Sequence, residues 1–195
     1  MGPVEINGLP AHVLLVHLTI VLIPAAAACV VLSAWWPRAR RWLGVLTPLA
    51  CLAALAMVPI TTNAGEWLEE RLGGEAPLIE RHEELGKLML WWAIALAVVG
   101  VVQWAWHRWY ARGSAGARVD RQNELVGARA SSGPGGDQVE FGNGAGRTSA
   151  AGRATIVGVV IGLIATAVAV GSVVHLVRVG ESGSRAVWEG SYSTE

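Results

Sequence analysis

The chain has 195 residues, is 53% hydrophobic and 15% charged, and carries a formal net charge of zero. Soluble domains of this size carry nearer a quarter charged residues, so the composition argues against a water-soluble fold, and the balanced charge gives no reason to expect a nucleic-acid partner. The apolar residues fall in four runs, about Val13 to Trp36, Leu43 to Thr61, Leu85 to Trp106 and Ile156 to Val177. Each is near or above the roughly 20 residues that cross a bilayer as a helix. Backbone groups in lipid must pair within their own segment, so the expected fold is all-α, an integral membrane four-helix bundle.

The opening stretch MGPVEINGLPAH holds no Lys or Arg. It lacks the basic region of a secretory signal peptide, and the first span is expected to stay in the mature protein. That span is expected to start at Pro10, whose missing N–H costs nothing in a first turn, and to kink at Pro24. Its opening turns, LPAHVLLVHLTIVLIPA, contain His12 and His17. An imidazole in hydrocarbon costs free energy unless it is bonded, so both need partners. The next loop carries Arg38, Arg40 and Arg41 and no acid.

The second span has Pro48 and Pro59 near its ends and runs out in TTNAG. GEWLEERLGG then reads as a short amphipathic helix resting on the membrane surface through Trp67, Leu68 and Leu72. Pro77 restarts the chain, and LIERHEELGKLMLWW reads as one helix that passes His82 on its way into the third span. That span ends at His107, set among Trp104, Trp106, Arg108 and Trp109, an interfacial anchor with no functional role expected. Residues 113–152 hold ten of the chain's 24 glycines, with serines, arginines and one aromatic, Phe141. Such a segment buries too little apolar surface to offset its ordering entropy, and a disordered cytoplasmic linker is expected. The fourth span carries Gly158 and Gly162 at a spacing that lets helices approach closely, and His175 in its last turns. The chain thus divides into 1–112, with three spans and an acidic loop, the linker 113–152, and 153–195, with the fourth span and a tail.

Loops one and three are rich in arginine, whereas residues 63–84 hold seven glutamates against Arg71 and Arg81. Lys and Arg mark the cytoplasmic side, which puts loops one and three inside and both the N-terminus and C-terminus outside. Trp35, Trp36 and Trp42, with the cluster near Trp106, then mark the inner interface, and Trp67 and Trp188 the outer one. Trp91 and Trp92 lie deeper and are expected to pack against another helix. Cys29 and Cys51 fall in the inner half of the membrane and read as small buried hydrophobes rather than a disulfide.

This topology gathers His12, His17, His82 and His175 from three helices at the outer side, with Glu66 and Glu69 just beyond the second span. Ionisable residues in membrane segments are functional-site candidates. His12 and His17, five apart, point about 140° from each other and do not suit one ion side by side. His82 shares a face with Gly86, and His175 with Gly171, each glycine one turn deeper. That leaves room for a flat ligand, as a haem held by two axial imidazoles requires. The pairings this arrangement offers are His17 with His175, or His12 with His82. Taken singly, each histidine is explained as well by a bond to water, a headgroup or a carbonyl; four on one side favour a site.

LPAHVLLVH at the first span, TTNAGEWLE after the second, RHEELGK entering the third and HLVRVGESGSRAVW closing the fourth resemble the bacterial membrane proteins grouped as domain of unknown function 2231. The resemblance covers nearly the whole chain except the glycine-rich loop, which looks like an insertion. The matching positions are His12 and His17, Gly65 and Glu66, His82, and His175. The resemblance implies four spans and histidines at these places in a bacterial cell (inner) membrane. It implies no reaction.

Three functions follow as expectations. The first is an electron-transfer protein holding b-type haem through the outer histidines, working with a redox partner because the inner half offers only His107. The second is a zinc, iron or copper site built from the same histidines with Glu66 or Glu69, although neither HExxH nor CxxC spacing occurs. The third is a cofactor-free interaction subunit of a membrane complex in which the histidines are structural. No constellation supports hydrolysis, and the chain is expected to bind or carry rather than to catalyse.

Overall fold

The computed structural model describes residues 5–6, 9–72, 77–131 and 145–188. A two-residue antiparallel ladder, β1 (Glu5–Ile6) with β2 (Leu9–Pro10), leads into five helices. These are α1 (Ala11–Trp35), α2 (Pro37–Leu43), α3 (Leu46–Leu72), α4 (Pro77–Ser131) and α5 (Ala145–Trp188). All but α2 contain a stretch long and apolar enough to cross a membrane: Ala11–Trp35, Leu46–Glu70, Pro77–Trp109 and Thr155–Trp188. The chain is therefore a multi-pass membrane protein with the all-α, four-span fold expected.

The four long helices form a closed square. Helix α1 packs on α3, α3 on α4, α4 on α5, and α5 returns to α1. Neighbours run antiparallel: His12 at the start of α1 meets Gly65 near the end of α3, and Trp35 at the end of α1 meets Gly162 early in α5. One end of the bundle therefore collects the starts of α1 and α4 with the ends of α3 and α5. The other end carries α2 and its arginines.

Small residues hold this square together. Ala26, Ala27, Ala54, Ala93, Ala97, Ala165 and Ala169 are buried around Ile23, Val30 and Leu96, while Val21, Leu49, Trp91, Leu163 and Val170 are exposed. Lipid tails are as apolar as leucine, so association within the bilayer rests on close van der Waals fit rather than on burying large side chains. That reverses the ordinary soluble pattern and leaves the large apolar residues outside. Gly162 serves this packing: the rim of the Trp35 ring would lie 3.4 Å from a Cβ there, and Trp35 Nε1 donates to Thr166 Oγ1 at 2.9 Å. The small-residue spacing of α5 thus seats α1 of the same chain.

The arginine end is tied by one side chain. Trp36 is extended, Pro37 opens α2, and Gly44 closes it at φ +43°, a left-handed conformation that side chains rarely adopt. Arg40 reaches back to α1, donating from Nε to Ser33 O at 2.7 Å and from Nη2 to Ala34 O at 2.6 Å. Its Nη1 donates to His107 Nδ1 of α4 at 3.1 Å. A guanidinium has no acceptor, so His107 accepts there and keeps its own proton on Nε2. Burial pulls the Arg40 pKa below its ordinary value, a cost that three bonds offset. His107, expected to be a plain anchor, is the α4 side of this clamp. Deeper in the bundle, Ser33 and Thr47 share a hydrogen bond at 2.9 Å. Gln103, one turn from His107, donates from Nε2 to Val30 O at 3.2 Å. Gln103 Oε1 is buried without a partner among the described residues.

Three expectations about elements differ from the structure. Helix α3 does not run out in TTNAG but continues to Leu72, so 64–72 extends the span instead of forming a separate surface helix. Thr61 and Thr62 return their hydroxyls to the carbonyls of Met57 and Val58 at 2.8 and 2.6 Å, which leaves those β-branched residues compatible with the helix. Helix α4 runs on to Ser131 and α5 begins at Ala145, so much of the segment expected to lack regular structure is helical. Extending a formed helix avoids the nucleation cost that an isolated segment meets. Residues 132–144, with Phe141, lie outside the described residues. Finally, Trp91 is 69% exposed on the lipid-facing surface, whereas Trp92 packs between helices.

Candidate functional site

All four histidines singled out from the sequence lie at the end of the bundle formed by the starts of α1 and α4 and the ends of α3 and α5. They divide into two kinds. His17 is exposed and donates from Nδ1 to Val13 O of its own helix at 2.6 Å. The other three reach a neighbouring helix.

His12, in the first turn of α1, bonds through Nδ1 to Thr61 O of α3 at 3.0 Å. A carbonyl only accepts, so Nδ1 carries the proton and Nε2 is a bare lone pair. Gly65 makes this approach possible, since a Cβ there would sit 2.9 Å from His12 Cε1. Thr61 is steadied in turn by Thr19 of α1, the two hydroxyls lying 2.9 Å apart.

His82, in the second turn of α4, repeats the pattern against α5. Its Nδ1 lies 3.1 Å from Val179 O and 3.0 Å from Ser182 Oγ. Ser182 Oγ itself donates to Val179 O at 2.8 Å, so the serine accepts from the imidazole and Nδ1 again holds the proton. Gly183 supplies the clearance, with a Cβ there 2.9 Å from His82 Cε1. Thus α1 and α4 each present an imidazole whose tautomer is fixed by the backbone of the next helix, with Nε2 free of partners among the described residues. A carbonyl on one ring nitrogen is the usual outer support of a metal-ligating histidine.

His12 and Glu69 are both within electrostatic range of His82. Gly86 lies four residues, one turn, deeper than His82 on α4. A Cβ on Gly86 would meet only Thr62 Cγ2, at 3.8 Å, so the space expected beside this glycine is present. Thr62 follows the residue that anchors His12.

His175 differs. It is 8% exposed, and its Nε2 donates to Leu85 O of α4 at 2.9 Å. Its ring stacks on Trp92, with centroids 6.2 Å apart and planes 27° from parallel. The space expected beside Gly171 is filled by the Trp92 ring, which a Cβ there would overlap. His175 is therefore built into an α4–α5 contact, while His17 faces out from α1. His12 lies within electrostatic range of His82, whereas His17 and His175 each bond elsewhere, to Val13 O and Leu85 O.

Glu66 is exposed and Glu69 half-buried at this end. Among the described residues no three His, Cys, Asp or Glu side chains converge as a metal-ion group. Sequence reasoning found the histidines and Gly65 but missed the other groups that set them: Thr61, Val179, Ser182 and Gly183, which were legible only as ordinary helix residues. No family model, curated protein or solved structure matches the chain.

Proposed function

We propose that this chain is an electron-transfer protein of the bacterial inner membrane that holds b-type haem between His12 and His82. One observation carries the reading: at one end of the bundle, α1 and α4 each present an imidazole with Nδ1–H spent on a carbonyl of the neighbouring helix and Nε2 uncommitted. A haem iron needs two axial nitrogens from the protein because the macrocycle brings four of its own, and when bound it supplies a one-electron iron couple. The uncommitted Nε2 atoms of His12 and His82 are the two nitrogens this chain would offer. Thr61 and Val179 fix the ring tautomers and raise imidazole basicity. Gly65 and Gly183 let each ring lie close to the next helix, and Gly86 leaves its face clear.

A zinc, iron or copper ion would need further protein donors, and Glu69 is the carboxylate within range of His82. A cofactor-free reading also has specific support, since His12, His82 and His175 each bridge two helices through a backbone carbonyl. In that case the chain is an interaction subunit of a membrane complex and the imidazoles are clamps.

The visible spectrum of the full chain, purified in detergent from haem-supplied cells, separates these readings. A sharp Soret band with resolved α and β bands on dithionite reduction is expected. His12→Ala and His82→Ala should each abolish it or change its ligation, while His17→Ala should leave it intact. A featureless spectrum from well-folded protein sinks the haem reading, and elemental analysis of that sample then distinguishes an ion site from clamps.

A further inference from the structure

The surface at the opposite end of the bundle is unlike the rest of the molecule. Helix α2 has two faces. Arg40 and Leu43, three residues apart, turn inward: Leu43 is buried and Arg40 holds α1 to α4. Arg38, Arg41 and Trp42 share the other face at helical spacing, and all three are exposed, Trp42 by 82%. The Arg40–His107 bond sets this face beside the end of the α4 span, where Arg108 is exposed with its guanidinium 5.7 Å from the Trp104 ring centroid. No acid occurs in the sequence between Glu5 and Glu66, or between Glu84 and Asp120. Arg38 and Arg41 accordingly have no carboxylate partner among the described residues.

We propose that the exposed face of α2, with Arg108, binds the headgroup of an anionic phospholipid. The surface lies where a transmembrane bundle meets the headgroup layer. Trp42 offers an apolar ring with a polar edge suited to that depth, and two unpaired guanidiniums one turn apart present planar donors that match phosphate oxygens. Arg40, each of whose three nitrogens already donates within the bundle, is the frame and takes no part in the lipid contact. Charge complementarity selects the occupant: a zwitterionic lipid carries its own cation beside the phosphate, and an anionic lipid does not.

Native mass spectrometry of the full chain in mixed micelles, with phosphatidylglycerol and phosphatidylcholine in equal amounts, tests this. Preferential retention of phosphatidylglycerol is expected. A Lys or Arg near an anionic membrane surface is worth about fivefold in affinity, so Arg38→Gln with Arg41→Gln should weaken retention about thirtyfold. Neither side chain supports the fold, and an unchanged melting temperature verifies that. Trp42→Ala, which leaves the charge alone, should give a smaller loss. Equal retention of the two lipids, or wild-type retention in both variants, overturns the proposal. Displacement of the lipid by inorganic phosphate would overturn it as well, by assigning the arginines to a free anion. The haem spectrum is unaffected by any of these outcomes, so this inference and the proposed function fail separately.

Discussion

At the scale of single residues, glycine clearances decide which substitutions the bundle accepts. A methyl group at Gly171 would overlap Trp92, whose ring is held on one side by His175. The indole must leave its stack, and such overpacking costs about 1–3 kcal/mol. Gly171→Ala is therefore expected to lower the melting temperature in detergent clearly. Gly86→Ala has only Thr62 Cγ2 nearby, at 3.8 Å, and should melt close to wild type while weakening any haem spectrum. Equal melting of the two variants would contradict these packing assignments. The sequence showed each glycine four residues from a histidine, Gly86 after His82 and Gly171 before His175, and could not separate them. What fills the space beside a glycine belongs to another helix, and Trp92 comes to Gly171 from 79 positions earlier in the chain. The role of Gly183 was hidden for the same reason, since His82 is its neighbour only across α4 and α5.

At the scale of elements, hydropathy located the four spans well because lipid leaves the backbone few alternatives. Where helices stop was less legible. TTNAG reads as a terminator by composition, yet Thr61 and Thr62 satisfy their hydroxyls on preceding carbonyls, and α3 passes through. The polar end of α4 reads as a linker by composition, yet it grows from a helix already formed in the membrane, reaching Ser131. Within α4 the sequence also concealed a conflict. Gln103 looks like one polar residue in an apolar run, but its Oε1 is buried without a partner among the described residues, while Nε2 makes one long bond. A buried unsatisfied acceptor costs about 1–3 kcal/mol, and a neutral hydrogen bond returns about 1 kcal/mol. Gln103→Leu is thus expected to raise the melting temperature or leave it unchanged. A fall would show that this amide carries an interaction the apolar side chain cannot replace, such as one to a bound water.

At the scale of the whole molecule, four antiparallel spans put residues 9–10 and 188 at one end of the bundle and α2 at the other. Reporter fusions at the two termini should therefore give the same sidedness, and the arginine bias predicts the non-cytoplasmic side for both. Opposite signals from the two fusions would contradict four spans. The same signal, but cytoplasmic, would reverse the orientation and leave the bundle intact. Both ends are fastened by one device: His82 and His175 at one, Arg40 at the other, each reaching a carbonyl of a different helix. A carbonyl is present whatever side chain its residue carries. Leu85, Val179 and Ala34 can therefore drift among helix-compatible residues without loosening the fastening, while each donor must keep its own chemistry. The two sides of every such contact bear unequal burdens of inheritance, so the pairing leaves no trace of correlated change between the residues it joins.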